Sequence, residues 1–183
     1  HYIDISVKHV GDARNHASPL AIDLDGDGIE TTAMSDGNVF FDIKNTGFVN
    51  HVGWISKDDG MLAYDRNHNG NIDNITELFG DYRTTAWEEL KKLDSNNDGK
   101  INALDQEFSE LKIWRDNNQN GIAEEGELQT LAYYHIREIN LAYTKLDIYQ
   151  RENYISGSST ITYDNGATKQ SIYDVHFLNI FLG

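Results

Sequence analysis

Cysteine is absent and proline occurs once, at position 19, in a chain of 183 residues. The missing cysteine removes disulfides, thiolate metal sites and cysteine nucleophiles together. Basic residues are scarce, with 15 Lys and Arg against 30 Asp and Glu. A formal charge of −15 argues against nucleic-acid partners, because phosphate contacts need a basic face. It argues equally against docking on an anionic membrane surface. No stretch approaches the roughly 20 apolar residues of a membrane span, and His1–Asp4 lacks the basic start and apolar core of a signal peptide. The expectation is one acidic, soluble, excised domain.

The acid is clustered with glycine in the manner of calcium loops. Such a loop places oxygen ligands at positions 1, 3 and 5, glycine at 6, a backbone carbonyl at 7 and a carboxylate near 12. Asp94, Asn96 and Asp98 fill 1, 3 and 5, Gly99 fills 6, Lys100 offers the carbonyl at 7, and Asp105 closes the loop. Ala86, Trp87, Leu90 and Leu93 precede it at helical spacing, and Leu104, Phe108 and Leu111 follow in the same way. Asp116, Asn118 and Asn120 start a second loop, with Gly121 at 6, the Ile122 carbonyl at 7 and Glu127 at 12. The two loops begin only 22 residues apart, so they are expected to share a helix over residues 104–114. A short helix through Leu128, Leu131 and Ala132 is expected beyond.

Asp65, Asn67, Asn69, Asn71 and Asp73 form a third cluster, with Glu77 one place late at position 13. The plainer reading of this cluster is a pair of Asx turns; the well-placed Glu77 favours a metal. The densest cluster is Asp23, Asp25, Asp27 and Glu30, entered from a strand of Leu20, Ile22 and Leu24. Position 12 there is Met34, so Glu30 or a remote residue must complete the shell. A fifth outline, Asp42 to Gly47, carries Lys44 at position 3, where an ammonium replaces the ion. About four Ca²⁺ ions are therefore expected, and their eight positive charges would take the net charge from −15 to −7. The apo chain is then expected to be expanded, with binding energy contributing to folding.

From Ile136 onward the pattern is β. Ile139, Leu141 and Tyr143 alternate, and Asp164-Asn165-Gly166 joins two apolar alternating runs as a hairpin. Trp54, Trp87 and Trp114 are read as core, Asp58-Asp59-Gly60 as a plain turn, and His16 as a solvated loop histidine. The seven histidines form no metal pattern. The fold class expected is α+β: EF-hand-like loops with short helices in the middle, and strands at the N-terminal edge and in the C-terminal third. The expected organisation is a flanking segment 1–17 and a single module 18–183, divided into a loop and strand part (18–81), a helical part (82–133) and a β part (134–183).

The run from Ser18-Pro19 through Asp23-Leu24-Asp25-Gly26-Asp27-Gly28-Ile29-Glu30 resembles the opening of the self-processing module of RTX (repeat-in-toxin) exoproteins of the FrpC type. Gly53-Trp54, Asp58-Asp59-Gly60, Asp65 through Asp81, Leu93 to Asn96, Trp114 to Asp116 and Asp174 to Phe177 occur there in the same order. The resemblance spans roughly residues 18–178. It implies a calcium-folded module of a secreted Gram-negative protein, exported by the type I route, that breaks an Asp-Pro bond at its own N-terminal edge. The freed aspartyl group can be captured by a lysine amine of the same or a neighbouring protein, giving an isopeptide link. The resemblance places that bond at Ser18 and Pro19.

Here serine stands where aspartate is expected. An aspartate carboxylate closes a five-membered anhydride on its own carbonyl; a serine hydroxyl would have to close a four-membered lactone. The chain is thus expected to bind calcium as a monomer, with the autocatalytic cleavage blocked. The alternative is a purely structural or adhesive, dockerin-like calcium module that binds a partner through the helix over 104–114. A calcium-dependent hydrolase is a third class, disfavoured because every acid cluster is assigned to a loop.

Overall fold

The computed structural model describes residues 17–181; the flanking segment up to residue 16, including His16, lies outside them. In chain order the strands are β1 (Leu20–Ile22), β2 (Thr31–Thr32), β3 (Phe40–Phe41), β4 (Asn50–Val52), β5 (Trp54–Ile55), β6 (Gly60–Tyr64), β7 (Lys100–Ile101), β8 (Leu111–Trp114), β9 (Leu128–Thr130), β10 (Ile136–Asn140), β11 (Thr144–Gln150), β12 (Asn153–Tyr163), β13 (Thr168–His176) and β14 (Asn179–Phe181). Nine of them form one antiparallel sheet in the order β7-β10-β12-β13-β1-β6-β8-β9, with β11 on β12. Strands β14, β4 and β3 make a second sheet, and β2 pairs with β5.

The centre of the large sheet is covered on both faces, which explains why β1 reads as unbroken apolar sequence. Ala21, Met61, Ala63 and Trp114 face a core containing Trp54, Phe41 and Phe177. Leu20, Ile22, Leu62 and Ile113 face the other way, onto Phe79, Trp87 and Leu90. Alternate residues of one strand thus serve two cores, as the pleat requires. The three tryptophans are buried as expected. The Asn-Gly hairpin is also present: Tyr163 N–H donates to Ala167 O at 2.8 Å, and Gly166 takes φ +86°.

The α+β expectation is overturned, because the middle of the chain is not helical. The sole α-helix among the described residues, α1 (Ala86–Lys91), is six residues long. Thr85 caps it by accepting the Glu88 N–H, and Ala86, Trp87 and Leu90 are its buried face. Residues 104–114 do not form a shared helix. Leu104 is 72% exposed, so the helical spacing of Leu104, Phe108 and Leu111 does not mark one buried face. Phe108–Glu110 is a single 3₁₀ turn, and Leu111–Trp114 runs as β8, paired with β6 through Leu62 and Ile113. Ile and Trp suit a pleated, buried strand better than a helix surface. Leu128–Thr130 likewise extends the sheet as β9 instead of starting a helix, and Ala132–Tyr134 is again 3₁₀. The EF-hand and dockerin-like descriptions, and with them the helix-face docking idea, lose their structural basis.

Candidate metal-binding loops and the Pro19 junction

The loops arise where elements of the sheet end. Asp23 follows β1, Asp42 follows β3, Asp65 follows β6, and Asp116 is the second residue after β8; only Asp94 follows a helix. All five loops share one backbone conformation. Position 4 has positive φ in each: Gly26 (84°), Asn45 (54°), His68 (57°), Asn97 (57°) and Gln119 (53°). Position 6 is a glycine with φ between 74° and 97° in each, a region that side chains resist. The first aspartate fixes the turn by receiving the N–H of position 6: Gly28 at 2.9 Å, Gly47 at 2.9 Å, Gly70 at 2.7 Å, Gly99 at 2.9 Å and Gly121 at 2.8 Å.

The closing acids also repeat. Asp105 accepts the N–H of Ser95 (2.9 Å) and Asn102 (2.9 Å), loop positions 2 and 9. Glu127 accepts from Asn117 (2.9 Å) and Glu124 (3.1 Å), the same positions. Glu77 accepts from Asp73 at 2.7 Å, while its other oxygen, Oε1, is buried without a partner. Burial raises its pKa. Position 7 is held in the same way three times, with N–H groups of Asn71, Lys100 and Ile122 donating to Asn69, Asp98 and Asn120.

Two loops converge on an acid at position 9. Asp73 receives the amides of Asn67 (2.9 Å), Asn69 (2.8 Å) and Asn71 (3.3 Å), and the Asn67 hydrogen bond chiefly lowers its pKa. Glu124 receives Asn118 at 2.8 Å and, more closely, Asn120, and these two bonds lower its pKa. Glu124 was not among the residues expected at the site, although its place at position 9 was readable by counting. In the 94–105 loop, Asn96 instead reaches Asp98 at 3.2 Å.

The first loop is completed from a distance. Asp59, fully buried, accepts Leu24 N–H on Oδ1 (3.2 Å) and Glu30 N–H on Oδ2 (3.1 Å). It therefore takes the position of the missing closing acid, 29 residues beyond Glu30. Oxygens of Asp23, Asp25, Asp27 and Asp59 all lie within 4.8 Å of one another, a grouping that could hold a metal ion. The reading of Asp58-Asp59-Gly60 as a plain turn gives way here. No local pattern pointed to Asp59, because its partners lie on another strand connection. Burial, then the charge of Asp59, pushes Glu30 up to about 8. Burial likewise pushes Asp59 up to about 6, against the lowering effect of its two N–H donors. So many carboxyls held together, with an orphaned oxygen on Glu77, suit a hard divalent cation with oxygen ligands.

Ser18 and Pro19 lie away from these loops, at the entry to β1. Ser18 is 3% exposed. Pro19 O accepts Val175 N–H at 3.0 Å, which binds the junction to β13. Gly80, at φ +95°, packs against the Ser18 carbonyl so closely that a Cβ there would sit 2.4 Å from it. Ser18 opens onto a cavity of about 560 Å³ lined also by Arg83, Lys145, Ser156, Asp174 and His176. Burial pushes Asp174 up to about 7, opposed by side-chain hydrogen bonds with Ser18 and Ser156. Asp174 Oδ1 is buried without a hydrogen-bond partner, 3.7 Å from His176 Nε2.

No helix of the described residues is long and apolar enough to cross a membrane. A family model described as the SPM domain matches residues 20–178. The chain is also 47% identical over 134 residues to the iron-regulated protein FrpA of Neisseria meningitidis serogroup C, a match covering 68% of this chain and 12% of that relative. The chain thus spans about an eighth of the length of the relative it matches.

Proposed function

The chain belongs to the SPM-domain family, and from that premise we propose that it is a calcium-folded self-processing module whose cleavage is blocked at Ser18. The observation carrying this reading is the junction itself. The single proline sits at the edge of the module with its carbonyl held by Val175, and the preceding residue is buried against Gly80 and Asp174. In this reading residues 1–17 stand for the segment upstream of the cut, and 18–183 form one module.

Calcium would be held by Asp23, Asp25, Asp27 and Asp59, with Glu30 adjoining. The other loops would use Asp65, Asn67, Asn69, Asp73 and Glu77; Asp94, Asn96, Asp98 and Asp105; and Asp116, Asn118, Asn120, Glu124 and Glu127, with the carbonyls of Asn71, Lys100 and Ile122. When bound, the ions neutralise crowded carboxylates and so favour the compact chain. About four are expected, with the Asp42 loop empty because Lys44 lies at its position 3. Folding of β1 then brings Ser18 and Pro19 against β13. With aspartate at position 18, its carboxylate can attack its own carbonyl, and the tertiary amide of Pro19 is the weaker peptide linkage. The cyclic anhydride formed reacts with water or with a lysine amine. Serine cannot form that ring.

A secreted setting fits the acidic, cysteine-free composition and the FrpA likeness. Dissociation constants on the order of 10⁻⁴–10⁻³ M would make export the folding trigger. The test is the intact mass of the Ser18→Asp chain before and after millimolar calcium. Calcium-dependent loss of the first 18 residues is expected. An unchanged mass in a chain that calcium folds would leave a structural calcium module.

A further inference from the structure

Asp174 is a buried carboxyl that serves none of the loops, and the one basic group paired with it among the described residues is the His176 imidazole, 3.7 Å away. Its strand pairs Asp174 opposite Leu20, so the pleat directs its side chain to the same face as Leu20 and Ser18. Asp174 and Ser18 line one cavity together with Ser156 and His176, and both Asp174 and Ser18 are 3% exposed. His176 Nε2 stands 3.7 Å from the unpartnered Oδ1 and is itself hydrogen bonded to Ser156 Oγ at 2.9 Å. A carboxyl sealed in this manner keeps its proton more readily than a solvated one.

We propose that Asp174 is the general acid for the bond preceding Pro19, an inference that rests on the self-processing reading. With aspartate at position 18, the carboxylate oxygen of that residue bonds to its own carbonyl carbon, and the bond from that carbon to the Pro19 nitrogen breaks. The Asp174 carboxyl gives its proton to the departing nitrogen and becomes a carboxylate. Water then opens the anhydride. Before the attack, the same proton is hydrogen bonded to the side chain at position 18, which keeps that neighbouring carboxyl ionised and directed. In the present chain the Ser18 hydroxyl occupies this place, and Asp174 has nothing to protonate.

The experiment compares Ser18→Asp alone with Ser18→Asp combined with Asp174→Asn or Asp174→Glu, at saturating calcium, following cleavage by intact mass. A general acid contributes roughly 10²–10⁴-fold, so D174N should slow cleavage at least ~100-fold, while D174E should recover most of the rate. The amide of D174N still donates a hydrogen bond, so equal rates with and without D174N would overturn the acid role and leave self-processing intact. A Ser18→Asp chain that calcium folds but does not cut would overturn both. As a check independent of folding variants, the ¹³C signal of the Asp174 carboxyl in the unsubstituted chain should report a protonated group at pH 6. An ionised signal there would overturn the proposal.

Discussion

Trp54 donates its indole N–H to Asp116 Oδ2 at 2.8 Å, and both side chains are fully buried. The first residue of a surface loop is thereby anchored in the aromatic core, where Trp54 also lies 5.5 Å from Trp114, edge to face. Loop occupancy and core packing share this bond.

Trp54→Phe should therefore lower stability by about 1.5–3 kcal/mol, the range for a hydrogen bond to a charged group. It should also weaken calcium binding at the 116–127 loop. Native mass spectrometry over a calcium titration should show the last ion binding at higher calcium in Trp54→Phe than in the parent chain. An unchanged titration would show that the indole does not support the loop.

Asp59 offers a sharper test, because its neighbour is a ready control. Asp58 is exposed and lies 3.8 Å from the Arg115 guanidinium, whereas Asp59 closes the Asp23 loop from within. Asp59→Asn should reduce the number of ions bound at millimolar calcium by one, as counted by native mass spectrometry. Asp58→Asn should leave the count unchanged. Equal counts in the two variants would remove Asp59 from the shell.

Much of this site was legible in the sequence, since spacing alone located five loops with the same backbone turn. Local patterns identify what local hydrogen bonds build, and each first aspartate closes its loop within five residues. Asp59 escaped because its partners are 29 and 35 residues away, a relationship made only by strand pairing. The helix over 104–114 failed for a related reason. Helical spacing of Leu104, Phe108 and Leu111 competed with the alternation of Leu111 and Ile113, and β6 offered a partner that the segment itself could not reveal. The C-terminal hairpin was readable because its turn carries its own signal in Asn165 and Gly166.

The Asp42 loop separates turn formation from metal binding. Asp42 accepts the N–H groups of Thr46 and Gly47, each at 2.9 Å, as a loop-starting aspartate does elsewhere. Asp42→Ala should destabilise the calcium-loaded chain by about 1–3 kcal/mol through those two donors, with the number of bound ions unchanged. Asp94→Ala should lower stability in calcium and also remove one ion. If D42A also loses an ion, Lys44 has not displaced one.

Asp174 makes stability depend on pH in a direction opposite to that of an ion-paired carboxylate. Burial holds its folded pKa at about 7, against an ordinary value of 3.8. Between those values the folded chain binds a proton that the unfolded chain does not. The stability this contributes is fully present below pH 4 and is lost as pH rises through 7. From pH 5 to 8 the loss is on the order of 3 kcal/mol, taking 1.36 kcal/mol for each pH unit up to the folded pKa. Saturating calcium keeps the loop carboxylates ionised across this range, so the difference between the parent chain and Asp174→Asn reports Asp174 together with its neighbour His176, 3.7 Å away. Denaturant unfolding at pH 5 and pH 8 should show D174N gaining on the parent chain as pH rises. A constant difference would mean that Asp174 is ionised throughout and that its burial is compensated by a partner charge.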